Sequence, residues 1–256
     1  MTTPITVPKW AQPDTNLAGS TVVVVGGAGG VGEGVVQALL AAGATVVATS
    51  RSAGRLDEFA RRIDDPHLHV RELDLLDPGL DEAAAELAAE FDGLYGVVLS
   101  VADWGRQGRK PLLDLTDPEW EDQLRQNQTT VFRAYRAFIP QLAGDGMILQ
   151  LNGLSADLPF PMAAAVAAGS AATKSLTRTL AAELGGRGPR VYELVLGFIR
   201  TRPRRLAGID DPGWIPATDV GVHIAEVAAA TSPIAGDTLH YFVDQAAGPQ
   251  AAADQG

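Results

Sequence analysis

Five consecutive residues, Thr21-Val22-Val23-Val24-Val25, run straight into Gly26-Gly27-Ala28-Gly29-Gly30-Val31-Gly32, and this junction restricts the fold more than any other part of the chain. An unbroken β-branched run lacks the alternation of a half-exposed strand and suits one buried on both faces of a parallel sheet. The glycines permit a tight turn and let a helix begin with its first amides bare. Glycines alone are weak evidence, because a structural turn needs them too. Strand, glycine turn and helix in that order predict a backbone that can approach a pyrophosphate closely.

The same rhythm continues along the chain. A helix is predicted from about Gly30 to Ala42, a strand at Thr45 to Thr49, a helix at Ala53 to Ile63 and a strand at Leu68 to Leu73. A helix over Leu80 to Phe91 and a strand over Gly96 to Val101 follow. Thr116-Asp117-Pro118-Glu119 combines a capping box with a first-turn proline and starts a helix reaching Phe138, with Asn127 inside it. Met147 to Leu151 reads as strand five, Ala163 to Leu184 as a long helix, Val191 to Leu196 as strand six, Asp219 to Ala230 as a helix and Thr238 to Val243 as the last strand. Alternating strands and helices imply a Rossmann-type, doubly wound α/β fold: seven parallel strands with helices on both faces, in a single domain. The expected layout is an N-terminal arm over 1–16, the domain over 17–244 and a frayed tail over 245–256, with Pro203 to Pro216 a mobile loop.

Length and composition agree with this reading. A chain of 256 residues suits one α/β domain, and 46% hydrophobic content supplies its core. No cysteine is present, which excludes disulfides and thiolate chemistry. A net charge of −11 and a pI near 4.7 disfavour nucleic acid or an anionic membrane as the main partner. Met1 to Asn16 lacks the apolar core of a signal peptide, and no window approaches the roughly 20 apolar residues of a membrane span. The expectation is a soluble, cytoplasmic protein with a small-molecule ligand. His67, His69, His223 and His240 have no metal-ligand spacing, so no metal is expected.

The glycine turn, Asn127, Lys174 and Gly197-Phe198-Ile199-Arg200-Thr201 together resemble the short-chain dehydrogenase/reductase family, from about Leu17 to Asp244. The resemblance implies an NAD(P)(H)-dependent oxidoreductase. Its cofactor would lie against Gly26, Gly29, Gly30, Val31, Gly32, Ser50, Arg51, Asp74, Leu75, Ser100, Ala102, Lys174, Gly197, Ile199 and Thr201. After strand two the chain reads Thr49-Ser50-Arg51-Ser52, without the acid that holds free ribose hydroxyls. Arg51 can fork onto a 2′-phosphate, which favours NADP(H) over NAD(H), or else cap a solvated loop. Ser100-Val101-Ala102-Asp103 stands where Asn-Asn-Ala-Gly is usual.

The family's usual proton donor is the tyrosine of Tyr-x-x-x-Lys, and with Lys174 as the lysine that place is taken by Ser170. Spacing of four puts both on one helix face. Lys174 would hold the nicotinamide ribose and Asn127 a relay water. The usual serine after strand five falls at Asn152-Gly153, leaving Asn152, Ser155 and Asp157 as candidate donors. A serine hydroxyl is a far weaker acid than a phenol, and each unit of pKa is worth about 1.4 kcal/mol. Tyr95, Tyr135, Tyr192 and Tyr241 are expected to pack rather than react. Trp104, Phe160, Met162 and Trp214, with Asn152, are candidates to line a hydrophobic substrate pocket.

Two function classes follow. One is an NADP-dependent oxidoreductase for a small, hydrophobic carbonyl, enone or imine, its proton coming from water, the substrate, Asp103 or Asp157. The other is a non-redox cyclase, dehydratase or isomerase, or a silent binding partner on the same scaffold. The resemblance also implies a homodimer or homotetramer built through the helices Pro118 to Phe138 and Ala163 to Leu184.

Overall fold

Strand runs rich in Val and Leu build the central sheet. In the computed structural model, which describes residues 5–103, 105 and 109–252, these runs form Thr21–Val25 (β1), Thr45–Ser50 (β2), Leu68–Glu72 (β3), Leu94–Leu99 (β4), Leu142–Gly153 (β5) and Arg190–Leu196 (β6). A separate two-stranded ribbon joins Ile199–Arg200 (β7) to Ile215–Pro216 (β8), and Leu239–Phe242 (β9) and Gln250–Ala251 (β10) complete the main sheet. Its order is β10-β9-β6-β5-β4-β1-β2-β3, parallel except for the β10 pairing. The helices are Gly30–Ala41 (α1), Ala53–Ile63 (α2), Leu80–Glu90 (α3), Asp117–Leu124 (α4), Thr130–Phe138 (α5), Ala164–Leu184 (α6), Arg202–Leu206 (α7) and Ala217–Ala228 (α8).

The seven parallel strands and two helical layers match the doubly wound fold read from the sequence. One apolar layer, including Leu39, Phe59, Ile224 and Phe242, seats α1, α2 and α8 on one face of the sheet. The other, including Leu80, Leu87, Val131 and Phe138, seats α3 and α5 on the opposite face, with Leu176 and Leu180 of α6 packed against it. Each fully buried Val or Leu stabilises the fold by about 1.5–3 kcal/mol, so the valines of β1, buried from Val22 to Val25, anchor both layers at once. β1 lies between β2 and β4, so the chain reverses its winding there and leaves a crevice at the strands' carboxyl ends.

Three departures matter. Residues 245–252 carry β10 rather than a free tail: Gln250 pairs with Tyr241 and Ala251 with His240, filling hydrogen bonds that the edge of β9 would otherwise leave open. The stretch Pro203 to Pro216, read as loop, contains most of α7, whose cap Thr201 accepts from the Arg204 amide, and β8. The predicted continuous helix to Phe138 is interrupted by a π-helical turn, Arg125–Thr129, which holds Asn127. Such turns insert a residue into the helical register and occur often at functional sites.

Two buried histidines make the fold sensitive to acid. His223 and His240 are almost wholly buried, and their rings meet through Nε2 and Nδ1 at 3.0 Å, with the His240 Nε2–H donating to the Ile234 carbonyl at 2.8 Å. Burial pushes His223 down to about 3 and lowers His240 as well. The unfolded chain therefore binds more protons than the native one below the ordinary histidine value near 6.5, and stability falls as pH drops from there toward 3. Melting curves should show that fall, and His223→Leu should flatten it; an equally steep fall in the variant would assign the acid sensitivity elsewhere.

Candidate functional site

The glycine turn sits at the winding reversal and leaves room for a ligand. Gly26 follows β1 at φ +79°, and a Cβ there would lie 2.3 Å from the Ser100 carbonyl oxygen after β4. Only glycine allows the β1 and β4 turns to approach this closely. Gly29 caps α1 without any side-chain hydrogen bond, so the first amides of α1 face the crevice unshielded. A cleft of about 800 Å³ opens over this turn.

Most residues expected to hold a cofactor meet in that one cleft. Gly26, Gly29, Gly30 and Val31 line it from α1, Ser50 and Arg51 from β2, Asp74 and Leu75 from β3, Ser100 and Ala102 from β4, and Gly197, Ile199 and Thr201 from the end of β6. Gly32 does not line it but packs against the Gly26 backbone beneath. The cleft is rich in cations: Arg55 and Arg62 of α2 and Arg202 and Arg204 of α7 join Arg51 on its wall. Arg62 is tied to Glu33 through both carboxylate oxygens. Arg51 is more than half exposed, donates to Gln126 at 3.1 Å and lies 3.5 Å from Asp103. A surface pair of this kind contributes little by itself and leaves the guanidinium free to exchange partners.

Asn127 reaches the cleft, where its amide grips the loop after β4. Its Oδ1 accepts from the Asp103 amide and its Nδ2 donates to the Asp103 carbonyl, both at 2.8 Å. Asn152, Ser155 and Ser170 also line the cleft, and the Ser155 hydroxyl donates to Ser170 at 3.2 Å. Asn152 turns its Nδ2 inward, to the Ser170 carbonyl at 2.8 Å and to Glu193 at 2.6 Å. Its Oδ1 accepts from the Gly153 amide at 2.8 Å, so both ends of the side-chain amide are engaged within the protein.

Along α6, Ser170 and Lys174 stand one turn apart but face different neighbours. Val166, Gly169, Ser170 and Thr173 line the cleft, whereas Lys174 does not. Two pairs of these cleft-lining residues are spaced by four, Val166 with Ser170 and Gly169 with Thr173. Lys174 instead meets Asp157, likewise outside the cleft, and the Tyr241 hydroxyl at 2.6 Å; that hydroxyl donates to Asp157 at 2.9 Å. Burial opposes the charge on Lys174, but the hydrogen bonds and charges of Asp157 and Tyr241 outweigh it and hold the ammonium above its ordinary value. Tyr241, expected only to pack, is therefore part of a polar triad. Phe160 lies under Arg109, Met162 is exposed at φ +69°, and Trp214 stacks on Phe198; none of the three lines the cleft. Trp104 lies outside the described residues. Among the described residues no tyrosine or lysine lines the cleft, no group of three or more metal-binding side chains occurs, and no helix is long and apolar enough to cross a membrane.

The family model for short chain dehydrogenases matches residues 20–208. Galactitol 2-dehydrogenase (L-tagatose-forming) of Cereibacter sphaeroides is 28% identical over 235 residues, covering 88% of this chain and 91% of that protein. Among solved structures, a short chain oxidoreductase of Pseudomonas aeruginosa PAO1 described as containing an atypical catalytic center superposes with a TM-score of 0.78 in its apo form and 0.76 with NADPH bound. The identity is 26%, over 90% of this chain and 97% of that one in the apo comparison. A short chain dehydrogenase of Burkholderia cenocepacia J2315 in complex with NADP gives 0.75 at 27% identity, over 91% and 99%.

Proposed function

The chain belongs to the short chain dehydrogenase family, and on that premise we propose an NADP(H)-dependent oxidoreductase whose proton source is not a tyrosine. The observation that carries this reading is a single cleft that gathers the Gly26–Val31 turn, Arg51, Asn127 and the Ser155–Ser170 hydroxyl pair. The turn fits a dinucleotide: the close approach of Gly26 to Ser100 and the uncapped start of α1 leave amides where a pyrophosphate needs them. When bound, that cofactor supplies or accepts a hydride at its nicotinamide ring.

This chain's own residues bind, orient and protonate. The α1 amides and Arg51 hold phosphate, with Arg55 on the same wall adding positive charge. Arg51→Ala is expected to weaken NADPH about tenfold and leave NADH unchanged, about 1.4 kcal/mol of selectivity by calorimetric titration. Asn127 fixes the Asp103 loop and so the wall opposite α6. The Ser155–Ser170 pair hydrogen-bonds a substrate oxygen and passes it a proton from water, a role hydroxyls can serve without ionising. Val25, Leu73, Leu151, Val166 and Leu196 supply apolar wall, which suits a small hydrophobic carbonyl, enone or imine. We place the protein in the cytoplasm as a homodimer or homotetramer, with the exposed Phe132 of α5 at the contact.

Following NADPH oxidation against a panel of ketones, enones and iminium compounds tests the reading. Turnover with at least one class is expected. Tight NADPH binding without turnover would favour the second class, a cyclase, dehydratase, isomerase or silent partner. The absence of a phenol and an ammonium from the described cleft wall is what keeps that class in view.

A further inference from the structure

A second cavity, of about 840 Å³, shares no lining residue with the cofactor cleft. The N-terminal arm forms one wall, through Ile5, Pro8 and Trp10, and Gln37 of α1, the first turn of α8 and the segment 244–246 after β9 form the others. The arm is pinned rather than loose. The Gln12 amide donates to Glu226 Oε1 at 2.6 Å, Thr15 and Thr231 share a hydroxyl hydrogen bond at 3.1 Å, and the Trp10 ring meets Phe242 edge-on with centroids 5.3 Å apart. Gly248, at φ +72°, presses on the same ring, where a Cβ would come within 2.8 Å of it. The walls are therefore set before anything enters, which lowers the ordering cost of binding.

The cavity presents a carboxylate that the fold leaves half satisfied. Asp219, in the first turn of α8, is only 5% exposed. Its Oδ2 accepts from Gln245 Nε2 at 3.2 Å, whereas Oδ1 has no donor among the described residues and is not sealed from the cavity. The helix start favours a negative charge there. Burial nevertheless raises the carboxyl above its ordinary value, against the Gln245 hydrogen bond, because the anion lacks a counter-charge. Asp244, whose Oδ1 accepts from the Ala247 amide at 2.8 Å, adds a second carboxylate to the wall. The exposed Lys9 is the one cation among the described lining residues.

We propose that this cavity binds a small organic amine, with the ammonium donating to Asp219 Oδ1 and the apolar body lying against Trp10, Pro8 and Pro216. An ammonium supplies both the hydrogen bond and the charge that a buried carboxylate needs. A neutral alcohol supplies the first without the second, and an anion is repelled by both acids. The volume lies in the range of small-molecule sites and leaves room for a ring system beside the ammonium. The site is independent of the oxidoreductase reading, since no residue of the cofactor cleft takes part.

Phenethylamine, phenethyl alcohol and phenylacetate carry the same ring and differ in charge, and titrating each into ¹⁵N-labelled full-length protein tests the proposal. The Trp10 indole N–H signal, assigned by its loss in Trp10→Phe, should shift saturably with the amine, at about tenfold higher concentration with the alcohol, and not with the acid. Asp219→Asn should weaken the amine about tenfold or more. Added NADPH should leave the amine affinity unchanged. A Trp10 signal indifferent to the amine, equal binding of amine and alcohol, undiminished binding by Asp219→Asn, or displacement by NADPH would each overturn the proposal. If Asp219→Asn does not fold, Lys9→Ala serves: loss of a like charge from the exposed arm should tighten the amine about twofold, and an unchanged affinity would count against the proposal equally.

Discussion

The double variant Val166→Tyr, Ser170→Lys is expected to raise NADPH-dependent carbonyl reduction about a hundredfold, the lower range for a positioned general acid. Both side chains line the cleft from α6, four residues apart, so a phenol and an ammonium introduced there would share one face beside Ser155 and Asn127. Ser170→Tyr alone should give far less. Its phenol would enter the cleft, but Lys174 would stay on its own triad with Asp157 and Tyr241, outside the cleft. Initial rates on a ketone panel decide the matter. A double variant that binds NADPH as the wild type does yet reduces ketones no faster would show that the missing acid is not what limits the site.

Gly34→Val should cost the fold about 3 kcal/mol or more and lower Tm by about 10 °C. Helices α1 and α8 cross so closely that a Cβ on Gly34 would lie 2.2 Å from the backbone carbon of Ala217. Gly221 answers from the other helix, where a Cβ would come within 2.6 Å of the Gly34 oxygen and of the Ala38 side chain. The obstacle at Gly34 is backbone, which cannot step aside as a flexible side chain would. Because α1 also begins at Gly30 in the cleft wall, the variant should lose NADPH affinity along with stability. An unchanged melting temperature would contradict the packing described for these two helices.

The elements nearest the glycine turn were legible because several signals coincide there. A β-branched run, glycines at the turn and a helix behind them agree, and the α2 range is the one the sequence predicted. The phase of α6 was not legible. Its alanines lie on every face, so spacing of four fits Ser170 with Lys174 as well as Val166 with Ser170. Only packing against β5 and β6 selects the face that meets the cleft. The π-helical turn at Asn127 carries no residue signature either, since Arg125–Thr129 reads as ordinary helix. Glu193 lay inside a strand read correctly as buried, but its partners Asn152 and Thr177 stand 41 and 16 residues away, beyond any local pattern. Periodicity could have found the cleft-facing stripe had α6 carried larger apolar residues on its sheet side.

What the cleft holds decides the function of the protein. Calorimetric titration of the full chain with NADPH and then NADH tests this most directly. Saturable binding of NADPH, about tenfold or more tighter than NADH, is the predicted result. A flat titration with both nucleotides would contradict it, leaving the Gly26 turn a structural device and the cleft open to some other ligand.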